Sequence, residues 1–214
     1  MRPFAVLLHP LMAMTRLTEI ELEPGILREA QAGDRRAQAE LYRAFSSATY
    51  ALIRRLVARQ AIADDLFQDT FVEVLKSLRA FRGEAPLGAW IRRVAVSKCL
   101  MHLRSPWHRS LIWLDQFAGN DALTDPSTAL VDRTDVDAAQ QIDLEAALAQ
   151  LPGQSRSVVW LYDVEGYTHE EIAALYGKSV SFSKSQLMRA HLRLRELLQV
   201  ERENAACMPV SSNS

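Results

Sequence analysis

The sequence predicts an all-α protein: two small helical domains joined by an acidic linker, the second domain containing a helix-turn-helix. Three observations carry this. Apolar residues recur three or four apart over long stretches of both halves, the spacing of one face of an α-helix. No stretch alternates convincingly with period two, as a half-buried strand does. Between the halves the pattern breaks over a segment rich in aspartate, proline and glycine. A length of 214 residues suits one large domain or two small ones, each with a modest core.

The first residues, MRPFAVLLHPLMAMTRLTEIELEPG, place Arg2 ahead of an apolar run, the outline of a secretory signal. His9 and Pro10 interrupt the run, no small-residue cleavage site follows, and the run is too short to cross a bilayer. Residues 1–24 are expected to be a disordered extension without membrane insertion, and Met12 or Met14 are alternatives to Met1 as the true start.

Residues 25–105 are expected to form the first domain. A short helix at 25–32 precedes Gly33 and Asp34, and Asp34 is a suitable N-cap for the next. That helix spans 34–57, with Ala37, Leu41, Phe45, Ala48, Leu52 and Leu56 on one stripe. Ile62, Leu66, Phe67, Phe71, Val74, Leu75 and Leu78 repeat the pattern over 62–80. FRGEAPLG, with Gly83, Pro86 and Gly88, reads as a loop. Helical spacing then resumes through Trp90, Ile91, Val94, Ala95, Lys98 and Leu103.

Residues 106–139 are expected to be the linker, with six aspartates (115, 121, 125, 132, 135 and 137) set against Arg109 and Arg133. Trp107, Ile112, Trp113 and Phe117 are more apolar than a free linker needs, so its start is expected to dock on a domain. The second domain, 140–202, carries helical stretches at about 140–150 and 154–164, divided by Pro152 and Gly153. Residues 203–214 are a frayed tail.

The segment YTHEEIAALYGKSVSFSKSQLMRAHLRLRELL closes this domain. Thr168 followed three residues later by Glu171 forms a capping box, so a helix is expected to start at His169. It stops after two turns at Gly177, the residue best able to take the left-handed conformation. Beyond it Val180, Leu187, Ala190, His191, Leu194 and Leu197 hold a second stripe. Short helix, glycine turn and longer helix make the helix-turn-helix plan. The bland alternative is a solvated charged face on a helical bundle.

The formal net charge of -1 conceals a segregated distribution. From Lys178 to Arg195 there are five cations and no carboxylate, whereas Asp163, Glu165, Glu170 and Glu171 crowd the stretch before. A helix that approaches phosphates needs that split, because cations displace condensed counterions and carboxylates repel the duplex. Hydrophobic residues at 49% and charged residues at 24% are ordinary for a folded soluble chain. Cys99 and Cys207 are too few and too far apart for a metal cluster or a disulfide framework, which fits a reducing cytoplasm. The five histidines are scattered, and there is no glycine-rich phosphate loop and no recognisable nucleophile turn. No catalytic residue, metal site or cofactor is expected, and the chain is not expected to be an enzyme.

Two stretches resemble one known family. LPGQSRSVVWLYDVEGYTHEEIAALYGKS at 151–179 resembles the carboxy-terminal DNA-binding domain of extracytoplasmic-function (ECF) sigma factors, the small members of the sigma-70 family that direct bacterial RNA polymerase to promoters. ADDLFQDTFVEVLKSLRAFRGEAPLGAWIRRVAVSKCLMHLR at 63–104 resembles the amino-terminal domain of the same family. Both fall in family order on either side of a linker, and together they span about residues 25–200.

The resemblance implies a non-catalytic subunit that binds core RNA polymerase and promoter DNA, both as duplex and as the non-template single strand. Asp64, Asp65, Gln68, Asp69 and Glu73 would form a polar face docking on the coiled-coil of the polymerase's largest subunit; the same residues are otherwise a solvated helix face. The loop Phe81 to Leu87 and the helix Trp90 to Arg104 would open the downstream promoter element and hold an unpaired base, with Arg82, Trp90, Arg92, Arg93 and Lys98 the candidate contacts. Trp90 is equally a candidate core residue. Ser181, Phe182, Lys184, Ser185, Gln186 and Arg189 would read the upstream element in the major groove, Lys184 at phosphate or guanine and Gln186 at an adenine edge. Where the family places a small apolar residue to seat this helix, the sequence has Ser183 beside Phe182, which leaves the register at 181–185 open by one residue. The linker would pass through polymerase toward the RNA exit path, and an anti-sigma factor is a further candidate partner.

The competing reading is a stand-alone helix-turn-helix regulator that binds duplex DNA as a dimer. Such a regulator needs a ligand or dimer domain in its first half, where this chain carries the docking motif and a basic helix. Cys99, on the helix expected to face the promoter, is either a buried inert thiol or a redox switch.

Overall fold

The computed structural model describes residues 17–105, 144 and 146–206, with side chains to residue 198. They belong to two separate units, one on each side of the segment expected to be the linker; that segment, the first 16 residues and the last eight lie outside the described residues.

The first unit is built from α1 (Pro24–Ala32), α2 (Arg35–Leu56), α3 (Gln60–Ser77) and α4 (Leu87–Arg104). Asp34 caps α2 as its sequence position implies, its carboxylate accepting from the Arg36 and Ala37 N–H groups, both at 2.8 Å. Gly33 ends α1 at φ 99°, where only glycine is unstrained. The stripe of α2 is buried at Leu41, Phe45, Leu52 and Leu56, with Ile53 buried beside it, and the helix packs on α3 and α4. Burying each such side chain contributes roughly 1.5–3 kcal/mol.

Two details differ from the sequence expectation. Gly88 lies inside the first turn of α4, not in the loop before it. A Cβ there would stand 1.7 Å from the Leu17 carbonyl oxygen, so glycine is needed for close approach. The chain arriving on Gly88 is a 3-10 turn, Leu17–Glu19, whose Leu17 is buried. Leu17–Glu19, expected to belong to a disordered extension, are therefore ordered, because Leu17 has an apolar seat against α4.

In the second unit, helical residues 146–149 lead through Pro152 into α5 (Gly153–Val159), α6 (His169–Tyr176) and α7 (Val180–Ala206). The expected single helix over 154–164 changes type midway, because Trp160–Val164 forms a π-turn with Glu165 N–H donating to the Trp160 carbonyl at 3.0 Å. Helix α7 runs four residues beyond 202, into the stretch expected to be tail.

Candidate nucleic-acid interface

Helix α6 begins at the expected capping box: Glu171 N–H donates to Thr168 Oγ1 at 3.1 Å, and Thr168 N–H donates to Glu171 Oε2 at 2.8 Å. It ends at Gly177, φ 60°, with Lys178 N–H returning to the Ala173 carbonyl and Gly177 N–H to the Ala174 carbonyl. Ser179 then caps α7, its hydroxyl accepting from Phe182 N–H at 3.3 Å. Helix, left-handed glycine and second helix packed on the first make the turn geometry that the segment predicts.

The register left open at 181–185 is fixed by Ser183. Its side chain is fully buried, and its hydroxyl lies 3.0 Å from His169 Nδ1 in the first turn of α6. A small residue thus does seat the helix, with its polarity satisfied by a histidine. His169 is half-buried and stacked on Tyr162 at 4.4 Å between ring centres. Phe182 is half-buried against Tyr176, at 5.4 Å.

The outward face of α7 presents Ser181, Lys184 and Arg189, all exposed, with Ser185 half-buried beside them. Met188, 60% exposed on the same face, was not among the expected residues because its apolar character drew no attention there. Gln186 turns partly inward, its amide oxygen accepting from Ser155 Oγ of α5 at 2.8 Å. Reading adenine through both atoms of the amide needs that oxygen free. The contact leaves the amide nitrogen for the role.

Farther along α7, His191 Nε2 and Asp163 Oδ2 meet at 2.6 Å, both buried. Asp163, one of the carboxylates crowding the stretch before the cations, is therefore an interior group that joins the π-turn to α7. Tyr176 and Ser157 share a hydroxyl–hydroxyl hydrogen bond between α6 and α5. All three helices of the turn are held by polar contacts through the interior.

In the first unit, Asp65, Gln68 and Asp69 are exposed and one helical turn apart on α3. Val72, 50% exposed, continues this face and was missed because it is apolar. Asp64 is half-buried and accepts from the Tyr50 hydroxyl at 2.7 Å. Burial first, then this carboxylate, raises the Tyr50 pKa. Glu73 accepts from Ser77 Oγ at 3.0 Å and stands 3.6 Å from Lys98 Nζ of α4. The Ser77 hydrogen bond and then Lys98 hold its carboxyl below the usual range.

The expected downstream contacts are dispersed. Arg82 and Arg93 are exposed, Arg92 is half-buried, and consecutive helical positions such as 92 and 93 diverge by about 100°. Trp90 is half-buried, with its ring 5.1 Å from that of Phe81 at the loop's base. Cys99 is fully buried, and burial pushes its thiol up to about 12. The redox reading is corrected accordingly, because a neutral thiol without solvent access is inert. No helix of the described residues is long and apolar enough to cross a membrane.

Comparison with known proteins agrees with this layout. Sigma-70 region 2 matches residues 41–109, and Sigma-70, region 4 matches residues 141–194. The RNA polymerase sigma factor CarQ of Myxococcus xanthus is 30% identical over 166 residues, 78% of this chain and 91% of CarQ. ECF RNA polymerase sigma factor SigM of Mycobacterium tuberculosis is 29% identical over 78% of this chain and 80% of its own length. ECF RNA polymerase sigma factor SigE of Mycolicibacterium smegmatis is 30% identical over 74% of this chain, which spans 60% of that relative's length. With both regions present in order, relatives that are ECF sigma factors and a relative matched nearly end to end, the chain belongs to the ECF group of the sigma-70 family of RNA polymerase sigma factors.

Proposed function

We propose that this protein is an alternative sigma factor that binds core RNA polymerase, recognises promoter DNA and directs its opening and transcription initiation. The observation that carries the reading is the coincidence of the two matched regions with the two helical units, one bearing the polar strip of α3 and the other a helix-turn-helix. It acts by binding, without catalytic chemistry of its own, in the cytoplasm where polymerase works.

Within that function Asp64, Asp65, Gln68, Asp69 and Glu73 form the polymerase-docking face, with Asp65, Gln68 and Asp69 at its exposed centre. Arg82, Trp90, Arg92, Arg93 and Lys98 serve the downstream element. Arg82 and Arg93 meet backbone phosphate, and the Phe81–Trp90 ring pair offers a stacking surface for an unpaired base. Ser181, Phe182, Lys184, Ser185, Gln186 and Arg189 serve the upstream element. Lys184 and Arg189 supply phosphate or guanine contact, Gln186 reads through its amide nitrogen, and Phe182 acts from within by bracing the helix on Tyr176. The stand-alone regulator is not favoured, because the first half matches a sigma region.

Run-off transcription with purified core polymerase and a promoter pool tests this. Discrete transcripts with the wild type and none with an Asp65→Arg, Asp69→Arg double variant are expected. Tight duplex binding by both proteins without polymerase, and no transcripts from either, would overturn it.

A further inference from the structure

The loop after α3 is exposed at Arg82, Gly83, Glu84, Ala85 and Pro86, and its Arg82–Glu84 pair, 3.9 Å apart, is solvated on both sides. Such a pair contributes little order. What fixes the base of the loop comes from far away in sequence. Gln31, in the last turn of α1, donates from Nε2 to the Leu78 carbonyl at 3.1 Å and to the Phe81 carbonyl at 2.9 Å. These carbonyls flank the 3-10 turn Leu78–Ala80, so one amide nitrogen clamps both ends of it. Phe81 N–H also returns to the Leu78 carbonyl at 3.1 Å, which closes the turn from inside.

The clamp bears on recognition through Phe81. Its backbone is held by Gln31 and its ring lies against Trp90, 5.1 Å away, so one residue connects α1 to the aromatic surface at the start of α4. Gln31 lies outside the matched region 41–109, so that match assigns it nothing. Neither a carboxylate nor a thioether can donate to two carbonyls.

We propose that Gln31 is a positioning residue for capture of the unpaired promoter base: it sets the loop backbone so that the Phe81–Trp90 surface is ready before the strand arrives. This rests on the strand-capture reading of the loop given above. A surface ordered in advance loses less freedom on binding, and the gain appears only with a base that uses the surface.

The test uses holoenzyme assembled from core polymerase and the full chain. The probes are fluorescent non-template single strands from a promoter that the holoenzyme transcribes, with each base in turn replaced by an abasic residue. Wild type is expected to lose affinity about tenfold at one position, the order expected for one stacked base. Gln31→Met and Gln31→Glu are both expected to lose most of that discrimination while binding the strand abasic at that position as wild type does. The readout is a ratio within one protein, so a smaller folded fraction cancels.

Variants that discriminate like wild type overturn the role of Gln31, as does equal weakening on every strand, which marks a merely structural residue. Loss in Gln31→Glu alone assigns the effect to charge and overturns the donor role. Wild type that binds all strands equally instead overturns the strand-capture reading itself, a different signature from failure of Gln31.

Discussion

Lys98 Nζ of α4 stands 3.6 Å from Glu73 Oε2 of α3, so a residue proposed to meet promoter DNA is paired with one proposed to meet polymerase. Glu73→Gln is expected to raise the single-strand affinity of the free chain a few-fold, and only while Lys98 is present. Fluorescence titration of Glu73→Gln, Lys98→Met and the double variant checks it; an equal gain in the Lys98→Met background would show simple loss of negative charge. The pair also has a pH signature. The Glu73 pKa is lowered in the fold, so its stabilisation is present above the ordinary carboxylate range and fades as pH falls through the folded value. The stability difference between wild type and Glu73→Gln should stay constant from neutrality to mild acid and close on further acidification.

Gly88→Ala should destabilise the first unit by about 1–3 kcal/mol, as the new methyl would sit within bonding distance of the Leu17 carbonyl. Removing residues 1–19 should erase most of that penalty. Alanine is the better helix former by about 1 kcal/mol, so in the shortened chain the substitution is expected to be neutral or slightly stabilising. Urea denaturation of the four proteins closes the cycle, and a penalty unchanged by truncation would place the clash elsewhere, at Phe45.

His191→Ala strands the buried Asp163 carboxylate and should cost about 3–5 kcal/mol in the second unit. An Asp163→Leu, His191→Leu pair should recover most of it, because a matched apolar pair needs no partner. Thermal unfolding of the single and double variants is the measurement; equal losses in both would mean that shape, not charge, is what the site requires.

Cys99 should resist iodoacetamide in the folded chain at pH 8 and react fully in guanidinium, measured in a Cys207→Ser background. The folded thiol titrates near 12 against an ordinary 9.0, so its neutral form is matched in both states below about pH 9. Above that only the unfolded state ionises, and stability falls by about 1.4 kcal/mol per pH unit, a loss that Cys99→Ala lacks. Parallel alkaline denaturation of the two proteins reads the difference.

The parts legible in the sequence are those decided within a few residues. The Asp34 cap, the Thr168–Glu171 box, the stop at Gly177 and the stripes of α2 and α3 are local devices, and the structure has each of them. The parts that escaped join residues far apart in the chain. Asp163 with His191, Ser155 with Gln186, and Gln31 with two carbonyls span 28 to 50 positions, and a polar side chain does not announce its partner at that range. Gly88 is a related case, since nothing near it in sequence tells that Leu17 will lie on top of it. At Ser183 only its size was needed to seat the helix, while its hydroxyl found His169.

The π-turn at Trp160–Val164 carries one residue more than an α-helical course over the same span. An insertion of that kind acts as a dial. Deleting one residue there would turn everything beyond by about 100°, swing Asp163 off its line to His191, and leave Tyr162 aimed away from His169. In bringing relatives of this chain into register, a single-residue gap between Val159 and Tyr167 thus marks chains that fasten the second helix of the turn by some other latch.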